Sequence, residues 1–223
     1  ETWPSPAITT LQVNLGVLDT TIEVFAAPPG SRTIRAAFNG SPESFVNYEY
    51  NEYSDGSGLA TFTLMETRPN PFPRLEGIGR SSLRVELPPG IALALAYAGR
   101  SGTASLDMKE LSLERLKLDQ EQGDVLFTLP PYQPLSPSVA QDPGALVLLR
   151  GNLRLLVPPD LGARFVLAKG NNQRPLYDDL RYALEDQLNE WILVTRDYAR
   201  QPYQVLYNLS VPGGTIRLDV QTP

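Results

Sequence analysis

The chain contains no cysteine and no histidine. Disulfides, thiolate nucleophiles, iron–sulfur clusters, zinc held by Cys or His, and histidine acid–base chemistry are therefore all excluded. Cations are scarce, at 19 Lys and Arg against 25 Asp and Glu, for a net charge of −6. That balance argues against electrostatic capture of nucleic acid or of an anionic membrane surface. Long apolar runs are missing too. The longest candidate, Ile91 to Ala98, falls far short of the roughly 18 residues a membrane-spanning helix needs. Any leader or membrane anchor is expected upstream of Glu1.

What is present is a chain of 223 residues, 42% hydrophobic, enough for a substantial buried core. Its dominant pattern is alternation with a period of two, the mark of half-buried strands. Leu11, Val13 and Leu15 alternate with Gln12 and Asn14. Val46, Tyr48 and Tyr50 and then Ala60, Phe62 and Leu64 flank Ser54-Asp55-Gly56-Ser57-Gly58, which predicts a β-hairpin. Leu83, Val85 and Leu87 run into Pro88-Pro89-Gly90, and Leu93, Leu95 and Tyr97 follow. Leu111 and Leu113, then Leu116 and Leu118, point inward, and Val125, Phe127 and Leu129 end at Pro130-Pro131. Further strands are expected through Leu146 to Leu167 and through Thr215 to Val220. Prolines mark connections at 67–77 and 130–144.

One segment departs from that period. Leu176, Leu180, Leu184 and Leu188 recur every four residues after Pro175, with Asp178 and Asp179 near the start. This spacing predicts one helix near 176–189.

Residues 83–91 (LRVELPPGI) match 153–161 (LRLLVPPDL) at a constant offset of 70. Strand, tight turn and strand, repeated, describe a unit that cannot bury its apolar face alone. The fold class expected is mainly β, as a β-solenoid of stacked rungs, with an antiparallel β-sandwich as the alternative. One domain over 1–223 is expected, with an N-terminal β subregion at 8–66 and a repeat region at 78–223.

The stretch LRVELPPGIALALAYAGRSGTASLDMKELSLERLKLDQEQGDVLFTLP, residues 83–130, resembles the repetitive domains of the bacterial putative adhesin and cell-wall-active-antibiotics-response family. The N-terminal part and the closing VPGGTIRLDV resemble that family more loosely. The resemblance implies a toast-rack-like β-solenoid outside the cytoplasm, often anchored by upstream membrane helices, with no known active site.

Candidate sites are few. Asp119, Glu121 and Asp124 cluster beside Gly123, where calcium is one reading and a solvated turn the other. Their spacing does not match an EF-hand, so the turn is preferred. Asp178-Asp179 and Glu185-Asp186 are candidate paired carboxylates for glycan chemistry, against a solvated helix face. Gly77-Ile78-Gly79-Arg80 lacks the following helix of a phosphate loop. Asn208-Leu209-Ser210 is a glycosylation pattern inside an expected strand. Tyr48, Tyr50, Tyr53, Trp191, Tyr198, Tyr203 and Tyr207 are the candidate aromatic surface. No catalytic, cofactor or metal residue is assigned. A non-enzymatic, extracytoplasmic structural or interaction module of the cell envelope is expected, in adhesion, scaffolding or stress sensing. Its partner would be a protein or envelope component, with no nucleic acid and no cofactor. The alternative is a glycan hydrolase or lyase built on a β-solenoid.

Overall fold

The computed structural model describes residues 1–69, 81–131, 144–170 and 172–221. Residues 132–143 of the expected loop at 130–144, Gly77–Arg80 and part of the 67–77 connection lie outside them. The described residues form fifteen strands, most of them where the alternation predicts. The first four are β1 (Thr10–Ala26), β2 (Arg35–Asn39), β3 (Phe45–Glu52) and β4 (Leu59–Thr67). The middle of the chain supplies β5 (Ser81–Leu87), β6 (Ala92–Ser101), β7 (Ala104–Asp107), β8 (Ser112–Gln122) and β9 (Val125–Thr128). After these come β10 (Gly144–Val157), β11 (Leu161–Ala168), β12 (Tyr182–Asp186), β13 (Glu190–Thr195), β14 (Tyr203–Ser210) and β15 (Gly213–Val220).

The strand pairing closes on itself. β1 pairs with β6, β6 with β8, β8 with β10, β10 with β9, β9 with β7, and β7 again with β1, every ladder parallel. The result is a closed six-stranded parallel barrel, with the remaining strands added outside it. It corrects both expectations, since an open solenoid has no closure and an antiparallel sandwich has no such parallel ring. The closure depends on two long strands. β1 pairs β6 along its first half and β7 along its second; β10 does the same with β8 and β9. Alternation names the inward face of each strand but not its partners, so the ring was not visible in the pattern. The antiparallel pairs, β2 with β5, β3 with β4, β11 with β13 and β12 with β13, all involve strands outside the ring.

The helix expected near 176–189 is absent. Leu176 bridges to Arg217, Asp178 Oδ1 accepts the Leu180 N–H at 2.9 Å in a local turn, and β12 begins at Tyr182. A four-residue spacing is an even number and fits a strand as well as a helix. That turn places Leu180 in solvent and the β12–β13 connection does the same for Leu188, 87% and 91% exposed, while Tyr182 and Leu193 fill the core. The described residues contain no α-helix, only a 3-10 turn at Tyr198–Arg200.

The two matching segments do carry equivalent faces. Val85 and Leu155, Leu87 and Val157, and Leu93 and Ala163 are all buried, while Arg84 and Arg154 are exposed. The hairpin around Gly56 is β3–β4, antiparallel from Phe45↔Thr67 to Glu52↔Ala60. The break in alternation between Leu113 and Leu116 is a bulge, where the β6–β8 register shifts past Glu114.

Glycine fixes the corner at which strands pass from one half of the ring to the other. Gly102, Gly123 and Gly151 adopt φ of +112°, +115° and +133° and stack one above the next. A Cβ on Gly123 would fall 1.8 Å from the Gly102 oxygen, and one on Gly151 2.0 Å from the Gly123 oxygen. Gly214 extends the stack, with 1.6 Å to the Gly151 oxygen. A polar ladder runs beside it, one residue on. Asp124 Oδ1 accepts the Asn152 N–H and Nδ2–H at 2.9 and 3.0 Å, and Thr215 Oγ1 donates to Asn152 Oδ1 at 2.6 Å.

Candidate functional site: a groove over the strand corner

Pairing across the ladders sets Met65 of β4, Gly16 of β1, Ala98 of β6, Asp119 of β8 and Val147 of β10 in one row. Gly16 and Ala98 add almost no side chain, so the row dips between its larger members. Met65 lies across the gap, and a Cβ on Gly16 would come 2.5 Å from its Cε. One step along the strands stand Arg100, Glu121 and Leu149. The resulting groove encloses about 460 Å³, within the range of ligand sites. Exposed Met65 and Leu149 form two of its apolar flanks. A second recess of about 440 Å³, bordered by Asp19, Ser101 and Arg150, shares Arg100, Glu121 and Leu149 with it.

Beneath the groove the strands change direction, and polar groups hold the bend. Asp19 accepts from Arg68 and Arg100 at 2.6 Å each and from Ser101 Oγ at 2.5 Å. Burial pushes the Asp19 carboxyl up, yet these three donors together outweigh it and hold the group below the usual carboxylate range. Glu66 is buried, and its Oε2 accepts the Leu18 N–H at 2.7 Å and the Thr20 hydroxyl at 2.8 Å. Its Oε1 has no hydrogen-bond partner among the described residues. Tyr97 OH donates to Gln120 Oε1 at 2.8 Å, and Gln120 Nε2 donates to the carbonyls of Gly102 and Gln122 at 2.7 and 3.0 Å. Burial first, and the Glu66 charge second, push the Tyr97 hydroxyl up. The arrangement offers an apolar trough with charged rims to a ligand or to a partner's side chains.

The sequence-derived candidates scatter. Asp119 lines the groove and pairs with Lys117 at 3.4 Å; Glu121 stands on its rim; Asp124 belongs to the corner ladder. No group of three or more acidic residues suited to a metal ion occurs among the described residues. Asp178, Asp179, Glu185 and Asp186 are exposed, and Asp186 pairs with Lys169. Asn208-Leu209-Ser210 lies within β14. The aromatics do not form one surface. Tyr207 is core, packed against Phe127 and Phe165; Trp191 lies half-buried beside Lys169; Tyr48 and Tyr53 are exposed on and beside β3. Asp19, Glu66 and Arg100 drew no notice in the sequence, because residues more than 30 apart meet only once the ladders form.

No protein-family model matches the chain, and no curated protein matches it. Among solved structures, a crystal structure of a putative cell adhesion protein from Clostridium sporogenes shares the fold. Its TM-score is 0.75 at 13% identity, over 99% of this chain and 96% of that one.

Proposed function

We propose that this chain is a non-enzymatic interaction module of the cell envelope, acting outside the cytoplasm in adhesion, scaffolding or stress sensing. In this reading an upstream membrane anchor holds it at the surface, and its partner is a protein or an envelope component. The observation that carries the reading is the full-length likeness to a putative cell adhesion protein. At 13% identity the likeness is one of fold, and fold alone does not fix function. Two features of the molecule support it. The core runs unbroken from Ile8 to Leu218, which suits a rigid surface-presenting body. The groove adds a recess with exposed apolar flanks and charged rims to which a partner's side chains could dock.

The test is retention of envelope material by the purified chain on beads. Saturable retention, competed by free protein, with no product released from a panel of polysaccharides, is expected. Turnover of a glycan would overturn the reading, and so would retention that does not saturate.

A further inference from the structure

Among the described residues the ladders end on four strands, and three of those ends are short or covered. β12 has five residues. β15 is covered by Leu176, whose N–H donates to the Ile216 carbonyl at 2.8 Å and whose carbonyl accepts the Leu218 N–H at 2.9 Å. β2 has five residues and is preceded by the Thr2–Ile34 bridge. β3 differs. Its eight residues pair only with β4 among the described residues, in continuous register.

The direction of its free groups follows from the ladder. The Tyr53 N–H donates to the Leu59 carbonyl at 3.0 Å, so 53, 51, 49, 47 and 45 turn their backbone groups toward β4. Antiparallel pairs alternate, and Val46, Tyr48 and Tyr50 therefore turn theirs outward. Exposed edges are normally blunted by charged side chains, lysine above all, by proline or by a bulge. β3, Phe-Val-Asn-Tyr-Glu-Tyr-Asn-Glu, has no lysine, proline or bulge, and its charges are the two carboxylates Glu49 and Glu52. It also exposes Phe45 and Tyr48, at 54% and 65%.

We propose that the free edge of β3 is a docking site for an extended basic segment of a partner protein, which adds to the sheet as one more strand. Main-chain hydrogen bonds to Val46, Tyr48 and Tyr50 would supply affinity, and side chains at alternate positions the selectivity. Charge selects the occupant. β3 carries Glu49 and Glu52 and no cation, Glu49 makes no ion pair among the described residues, and the whole chain is at −6. Lys or Arg opposite Glu49 is favourable across strands, whereas a second copy of β3 would bring two more carboxylates to the same edge. The inference stands independently of the adhesive reading.

The test is an NMR titration of the full chain with a capped eight-residue peptide of alternating lysine and threonine. Saturable shifts of the Val46, Tyr48 and Tyr50 amides are expected. A glutamate–threonine peptide should bind at least tenfold more weakly. So should the lysine peptide N-methylated at every residue, which blocks both of its edges. Tyr48→Pro removes one outward N–H and leaves the β4 ladder intact. It should weaken binding about tenfold while shifting the melting temperature by only a few degrees. Glu49→Lys should reverse the preference between the two peptides, which keeps the test decisive if the proline variant misfolds. Equal binding of both peptides, undiminished binding of the N-methylated one, or dimers of the free chain with protected β3 amides would each overturn the proposal.

Discussion

Replacing Gly123 with alanine should be among the most damaging one-carbon changes in the molecule. Two costs combine there. At φ +115° an L-residue is strained, by about 1–3 kcal/mol. The new methyl also meets the Gly102 carbonyl at 1.8 Å, and forced shifts in a packed interior cost about 1–3 kcal/mol more. The obstacle is the backbone of the β6–β7 corner, which in turn rests on Thr20, so it cannot swing aside as a side chain would. A loss of about 2–6 kcal/mol follows, or roughly 4–24 °C in melting temperature for a chain of this size. Two controls separate the costs. Gly56 has φ +77° with nothing within 4 Å of its added Cβ, so Gly56→Ala isolates the dihedral cost of about 1–2 kcal/mol. Gly170 has open space and no positive φ, and Gly170→Ala should be neutral. Differential scanning calorimetry on the three variants gives the order. If Gly123→Ala melts no lower than Gly56→Ala, the strands do not stack through that corner and the reasoning is wrong.

Leu155→Ala should cost about 2–5 kcal/mol in denaturant melts, because Leu155 is fully buried. Arg84→Ala should stay within about 0.5 kcal/mol, its exposed pairing with Glu23 contributing little; comparable losses for both would mean a register error of one residue. Asp19, with its carboxyl held low, contributes stability that is present above the ordinary carboxylate range and lost as pH falls toward its folded value. Asp19→Asn should therefore lower the melting temperature at pH 7 and flatten its decline below about pH 4; an unchanged acid limb would contradict this. Chelator should leave the melting temperature unchanged, since Asp119 pairs with Lys117 and Asp124 with Asn152; a drop of several degrees would restore the calcium reading.

Strand positions and their inward faces were legible because period two is local. Leu83, Val85 and Leu87, and Leu153, Leu155 and Val157, are buried as their alternation implies. The inward faces of Leu111, Leu113, Leu116 and Leu118 were legible for the same reason, whereas the bulge at Glu114 emerges only with the β6–β8 register. What alternation does not encode is which strand lies beside which. Ile22 pairs with Ala104, and Leu153 with Val125; nothing within either strand specifies that neighbour, so the ring closure was missed. The false helix at 176–189 came from reading Leu180 and Leu188 as buried, when Asp178 instead caps a turn that exposes Leu180. The groove was illegible for the same reason as the ring. Gly16 and Ala98 are unremarkable until β1 and β6 lie side by side and leave a trough.

Closure of the six parallel strands is tested most directly by cross-linking every side of the ring in a chain that has no native cysteine. On one half the pairs are N14C/A96C, A96C/K117C and K117C/A145C, each on directly paired residues. On the other half they are L126C/R154C, S105C/L126C and E23C/S105C. Adjacent paired Cα atoms lie within the span of about 4.4–6.8 Å that a disulfide bridges. Mild oxidation followed by intact-mass measurement should show all six bridges, and none in E23C/L106C, where the two side chains leave opposite faces. Formation of the first three with failure of S105C/L126C or E23C/S105C would mean that the ring is open.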